Sequence, residues 1–213
     1  MTYLEIVNKV LRRLRENEVS SVNETQYSRL IGDLVNEVKR EVEDAWNWDA
    51  LRTTLTASTA QSLFNYVLEG AGNRFRILNV VNDTEDTKVQ YRDSEWFDRV
   101  FATQPVQEGA PLYYNLNGVD VDGNAQVDLY PIPDGVYTIY FNIVQPQPDL
   151  VNNGDVPLVD SQAIVYGTVA RAIEERGDDG GLAAAEPRYR GYLADLIAIE
   201  AGRRPDETTW ILR

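Results

Sequence analysis

Carboxylates dominate the groups in this sequence that can carry chemistry. Thirty-four Asp and Glu stand against twenty Lys and Arg, and the chain has neither His nor Cys. Those two absences remove the Ser-His-Asp triad, the thiolate nucleophile and the usual zinc site. What remains is paired-carboxylate chemistry of the glycosidase kind, or oxygen ligation of a hard cation. Asp120, Asp122 and Asn124 in GVDVDGNAQVD (118–128) have the spacing of the first ligands of a calcium loop. Such a loop also needs Gly in sixth place and Glu in twelfth. Counted from Asp120, those places hold Ala125 and Pro131, so a hairpin turn on Asp122–Gly123 suits the segment better. Asp83, Glu85 and Asp86 form a second cluster, which reads as solvated loop charge.

The aromatic residues Trp46, Trp48, Tyr113, Tyr114, Tyr130, Tyr137 and Tyr140 suit stacking on sugars or bases. Core and cross-strand packing accounts for most of them. Trp46 and Trp48 fall where a helix gives way to strands, which assigns them an interdomain packing role. No phosphate-binding glycine loop, dinucleotide fingerprint or HExxH occurs. The sequence therefore predicts no catalytic residue, no cofactor and no metal site.

The net charge of −14 has the wrong sign for a protein that grips nucleic acid. It is also uneven. Residues 80–160 hold fourteen acidic and three basic residues, the first sixteen hold two and four, and those from Arg188 onward hold four and five. Either the acidic middle is a solvated β-surface, or it lies near DNA without adhering to it. No apolar run approaches the ~20 residues that span a bilayer, and MTYLEIVNKVLRRLRE alternates charged with apolar residues, unlike a signal peptide. Synthesis in the cytoplasm is expected.

The elements that must position these groups follow from pattern. Thr2 and Glu5 form a capping box ahead of Leu4, Ile6, Val7, Val10, Leu11 and Leu14 at helical spacing. Ser21 and Glu24 suggest a second box, opening a helix with Tyr27, Leu30, Ile31, Leu34, Val35, Val38, Val42, Ala45 and Trp46 on its apolar side. Residues 51–145 then hold seven short β-rich runs, with a helix capped by Asp93 between the fourth and fifth. QPQPDLVNNGDVP (145–157) reads as a linker. Asp160 caps a helix carrying Val165, Tyr166, Val169, Ala170 and Ile173, which Gly177 stops. A last helix presents Tyr189, Leu193, Leu196 and Ile197, and Pro187 predicts a break near Glu186. The expected fold is α+β: N- and C-terminal helices (1–52 and 156–204) form one bundle, and an antiparallel β-sandwich or barrel (53–155) is inserted in it.

The stretch 205–213 ends in TWILR. An exposed Trp-Ile-Leu is costly unless it docks, on its own subunit or on a partner. LEIVNKVLRRLRENEVSSV, REVEDAWNWDALRTTLT, VDLYPIP and AIVYGTVARAIEERGD, in this order, resemble the head-to-tail adaptor (connector) proteins of tailed bacteriophages, among them the tail tubular adaptors of T7-like podophages. The resemblance covers nearly the whole chain and is one of pattern, with no catalytic motif. It implies a non-enzymatic ring, typically of twelve copies, below the capsid portal in the neck or tail of the virion, assembled in the host cytoplasm. It implies as partners the portal protein and a tail or nozzle protein, with DNA passing through the channel unbound and no membrane. Arg203, Arg204, Trp210, Ile211 and Leu212 would then dock on the portal. The competing reading is a carbohydrate-binding or carbohydrate-cleaving β-domain on a helical support.

Overall fold

The computed structural model of the protein describes residues 1–70, 72–103, 105–177 and 179–203. Two compact units divide the chain, one made of residues 1–51 with 146–213 and the other of residues 52–145.

The first unit is helical. Helix α1 (Tyr3–Arg13) starts on the Thr2–Glu5 capping box, in which each side chain accepts a hydrogen bond from the other residue's amide. It buries Tyr3, Ile6, Val7, Val10 and Leu11. Helix α2 (Gln26–Ala45) begins later than Ser21 suggests. Its cap is Thr25, boxed with Ser28. Glu24 turns back instead to the Ser20 amide and hydroxyl. Ser28 wins the contest because its buried hydroxyl also donates to the Val22 carbonyl, closing the α1–α2 loop over the helix end. Helix α4 (Ser161–Glu175) is capped by Asp160, whose carboxylate accepts from the Gln162 and Ala163 amides. It packs against α1, α2 and α5 (Asp179–Gly202). The predicted stripe is therefore only part of its buried surface: Val165 and Ala170 are buried, but so are Ala163, Ile164, Gly167, Thr168 and Ala172. At Gly167 a Cβ would lie 2.5 Å from Val38 and 3.0 Å from Tyr189, so glycine is what lets three helices meet there.

The break expected at Pro187 does not occur, and α5 runs through it unbroken. A proline inside a helix costs about 3 kcal/mol. Burial of the Tyr189 ring against α4 and the Tyr166–Tyr192 ring contact at 5.2 Å lie directly after it. A fully buried large side chain contributes about 1.5–3 kcal/mol, so packing offsets much of that cost.

A polar stripe on α2 organises the return of the chain. Asn36, Lys39, Arg40 and Glu43 share one face, at the spacings that adjoin on a helix. Asn36 exchanges two hydrogen bonds with the Leu150 backbone, at 3.0 and 2.9 Å. Lys39 and Glu43, both with wholly buried side chains, are paired at 2.9 Å. Lys39 Nζ also donates to the Gln147 carbonyl at 2.7 Å, and Glu43 accepts from the Gln147 amide at 3.3 Å. Arg40 grips both oxygens of Asp149. The stretch that reads as a linker is thus pinned along α2. Further along it, the Asp155 carboxylate accepts from the Val151 and Asn152 amides, and the Asp155 and Asn153 carbonyls accept from Tyr3 and Leu4 at the start of α1. Those amides are among the donors that a helix leaves unsatisfied at its N-terminus.

The second unit is a single, nearly closed, barrel-like sheet of seven strands: β1 (Arg52–Ser58), β2 (Asn65–Val67), β3 (Arg76–Asn82), β4 (Thr87–Tyr91), β5 (Tyr113–Val119), β6 (Ala125–Tyr130) and β7 (Thr138–Val144). Their order is β1-β7-β3-β4-β5-β6-β2. First and last strands are neighbours, with Arg52 opposite Val144, so the two ends of this unit lie side by side, as an insertion requires. All pairings are antiparallel except β4–β5. A parallel pair needs a crossover, and helix α3 (Ser94–Thr103) supplies it; Asp93 caps α3 by accepting from the Trp96 amide at 2.8 Å. Ile139, Phe141 and Ile143 point into the core from β7. On the other face, Thr54, Asn142 and Asn79 form a polar ladder across three strands, with 2.6 Å steps.

Two outcomes test this framework. Lys39→Met alone strands a buried carboxylate and should cost about 3–5 kcal/mol in chemical denaturation. Lys39→Met with Glu43→Leu removes both charges and should recover only part of that loss, because the Gln147 peptide groups lose their partners. Full recovery would show that the pair does not anchor residue 147. Hydrogen bonds from the Asn152 and Val151 amides hold the Asp155 carboxyl below its ordinary value of 3.8. Its stabilisation is therefore complete above that value and is lost as pH falls through the lower folded-state value. Asp155→Ala should lower the Tm at pH 7, by a margin that narrows in acid. A margin unchanged down to pH about 2 would contradict the charge's role.

Candidate interface

The helical unit carries an open groove, about 450 Å³ in volume. It lies where α4 begins and α5 ends, with Trp48, Val156, Leu158, Leu196, Ile199 and Arg203 in its lining. Each wall is fixed locally. Trp48 is buried and its indole N–H donates to the Val42 carbonyl at 2.6 Å, folding the chain back on the last turn of α2. A single 3-10 turn (Asp49–Leu51) follows. The opposite wall is held by the Gln147 side chain, which donates to the Val156 carbonyl and accepts from the Leu158 amide, both at 3.0 Å. Glu200, almost buried near the end of α5, accepts from the Asp49 amide at 2.8 Å and from Arg203 at 2.8 Å. One carboxylate thus locks the α5 terminus to the 3-10 turn and orients the arginine.

The groove is apolar where it meets water. Val156, Leu158 and Ile199 are each more than half exposed. Groups of this kind, rimmed by polar residues, mark sites of protein association.

The predicted docking residues are only partly within view. Arg203 stands at the groove, paired with Glu200 and largely exposed. Arg204, Trp210, Ile211 and Leu212 lie outside the described residues. Trp46 ends α2 as its C-cap and is exposed, whereas Trp48 is built into the helical unit. Sequence reading missed Glu200 and Gln147. Neither belongs to a motif, and their roles depend on chain segments about 150 and 10 residues away. Arg176, in the ERGD stretch, is likewise taken up locally. It bonds the Tyr27 hydroxyl and Glu16, and its guanidinium lies 4.9 Å from the Tyr27 ring centroid. It ties the end of α4 to the α1–α2 region.

In the β-unit the rings face each other. Trp96 packs against Tyr113, Tyr130 and Phe97 at 4.9–5.6 Å, and Tyr113 stands opposite Tyr130 across β5 and β6. Tyr114 is buried and meets Phe141 edge-on. These rings are cross-strand and core pairs, as expected. Asp120 in the calcium-like stretch commits its carboxylate to the Asp122 and Asn124 amides at 2.9 and 2.7 Å, which makes the segment a hairpin turn. Those bonds hold the Asp120 carboxyl below its ordinary value, the Asn124 amide contributing most. Asp83, Glu85 and Asp86 sit exposed on the β3–β4 turn. Among the described residues, no group of three or more acidic side chains is placed to hold a metal ion.

Acidity is shared more evenly than the linear sequence suggests. Residues 52–145 carry twelve acidic and six basic residues, and the remainder of the chain carries twenty-two and fourteen. The acidic run of residues 80–160 straddles the unit boundary, because its last fifteen residues are part of the helical unit.

A helical unit with an apolar groove, interrupted by a β-unit between α2 and α4, is the arrangement to set beside known families. No curated protein sequence matches the chain. The profile of the SU10 adaptor protein family matches residues 1–210. A match over that much of the sequence includes both units, and the chain belongs to the SU10 adaptor protein family.

Proposed function

We propose that this protein is a structural head-to-tail adaptor that forms a ring, of twelve copies, below the portal of a phage capsid. The ring joins the portal to a tail or nozzle protein and continues the channel through which DNA leaves. The observation that carries this reading is the family match across residues 1–210. Membership of that family implies a phage structural adaptor of the virion neck. Assembly takes place in the host cytoplasm. Among the described residues, no helix is long and apolar enough to cross a membrane.

Charge and surface support the reading physically. A wall that passes DNA has to avoid phosphate contacts, since each one adds salt-dependent affinity that would stall transport. A net charge of −14 serves that need. Docking on the portal is assigned to the segment 205–213, with Trp210, Ile211 and Leu212 as the apolar anchor and Arg203 and Arg204 facing acidic groups of the portal. Aromatic and arginine residues supply most of the energy at such contacts.

Native mass spectrometry with the portal ring encoded nearby tests both levels. The full chain should add to the portal as a fixed multiple of 24.1 kDa, and that multiple counts the copies. A chain lacking 205–213 should keep its Tm and circular dichroism and lose the complex. An undiminished complex from the truncated chain would remove the docking role from this segment, and no complex from the full chain would remove the ring reading.

A further inference from the structure

A second groove, of about 530 Å³, lies on the helical unit between α4 and α5. Val169 and Ile173, one turn apart on α4, line one side, and Ala184 and Ala185 of α5 line the other. The small alanine side chains leave the hollow unfilled. Arg13 and Arg188 complete the lining, and Tyr166 holds both in place, with their guanidinium carbons 4.7 and 5.8 Å from its ring centroid. Both arginines are exposed. No carboxylate among the described residues pairs with either. The groove therefore offers an apolar floor and two cations that no described carboxylate pairs. Its complement is an apolar side chain flanked by carboxylates on an element that projects.

The same chain carries that complement. At the β5–β6 turn Val121 is wholly exposed, at 101%, and Val119 is 53% exposed. Asp122, beside Val121, is exposed as well. The turn does not depend on a partner for its shape, because the Asp120 carboxylate binds the Asp122 and Asn124 amides and the Asp120 amide donates to the Asn124 carbonyl at 2.8 Å. A preorganised loop loses little entropy on docking, so an apolar knob held out this way is suited to insertion.

We propose that the β5–β6 turn of one copy seats Val121 in the α4–α5 groove of the next copy, with Asp122 meeting Arg13 and Arg188. The contact joins two different surfaces of one chain. Such head-to-tail contacts close into rings when the rotation between copies permits. The inference rests on the ring reading above and names one of its subunit contacts.

Because the chain has no cysteine, cross-linking reads this contact without background. Val121→Cys and Ala184→Cys change exposed positions and leave the fold intact. Mixed as separate chains and oxidised, they should give a heterodimer, and the double variant should give a ladder of oligomers. Each single variant alone should give about tenfold less dimer. Arg188→Glu should lower the mixed yield about tenfold, and adding Asp122→Arg in the partner chain should restore it, since one coupled charge pair accounts for a factor of that size. Native mass spectrometry on the same samples, alone and with the portal ring, reports assembly independently. Rings of the double variant that form without a disulfide between the two substituted positions overturn this contact and leave the ring reading standing. A chain that stays monomeric under both conditions, without the disulfide, overturns both.

Discussion

The structure depends on how the chain finds its way back into the helical unit after an excursion of nearly a hundred residues. Residues 146–150 have no regular secondary structure, and Pro146 and Pro148 deny them two amide donors. The peptide groups that remain must be satisfied without a sheet to join. Helix α2 meets that demand with side chains, since Asn36, Lys39 and Glu43 bond the backbone of Leu150 and Gln147. Burying a Lys–Glu pair is costly in desolvation, and the attraction between the two offsets it only when their other bonding capacity is also used. Here Gln147 takes up part of it. The same contacts that justify the buried pair therefore set the register of the returning chain, and with it the position from which α4 starts.

From that start α4 becomes the axis of the helical unit, and its sequence shows the consequence. A helix that touches three others cannot be amphipathic in the ordinary sense. Glycine at 167 and alanine at 163, 170 and 172 are what close approach on several sides requires. Once α4 is fixed, α5 has a wall to follow, which is why Pro187 is carried within an unbroken helix. The arginine at the end of α4 closes the circuit, because Arg176 reaches Glu16 and Tyr27 near the loop where α1 turns into α2.

Local pattern made much of this legible. All seven strands, the helix between the fourth and fifth of them, the Thr2 and Asp160 caps and the return of the C-terminal helices to the N-terminal pair follow from spacing, capping chemistry and β-propensity. The failures share a cause, which is that long-range partners override local rules. Ser21 looks like the cap until Ser28 finds the Val22 carbonyl, which gives that role to Thr25. Nothing local marks Lys39 and Glu43 as core, and only the arrival of residue 147 makes them so. Pro187 looks like a stop until the packing on either side of it is known. The parallel β4–β5 pair is invisible in alternation, which reports which face is buried and says nothing of strand direction. At the groove, Trp48 and Arg203 stand out in the sequence by type, whereas Glu200, which bonds the Asp49 amide and Arg203, does not.

Charge sets the last constraint. Both units are acidic, so any assembly of many copies places like charges side by side. At physiological salt the Debye length is about 8 Å, and repulsion between distant surfaces is largely screened. What matters is the charge within a contact, where solvent is excluded and screening is weak. A chain of this charge can thus keep most of its surface acidic while cations that no described carboxylate pairs act at chosen points. Arg13 and Arg188, held on Tyr166 beside an apolar hollow, are such points. Most other arginines of the helical unit are already committed to carboxylates within it, as Arg12, Arg40, Arg171, Arg176, Arg190 and Arg203 are. Internal pairing of this kind leaves the outer field acidic and concentrates the capacity for association in a small, shaped part of the surface.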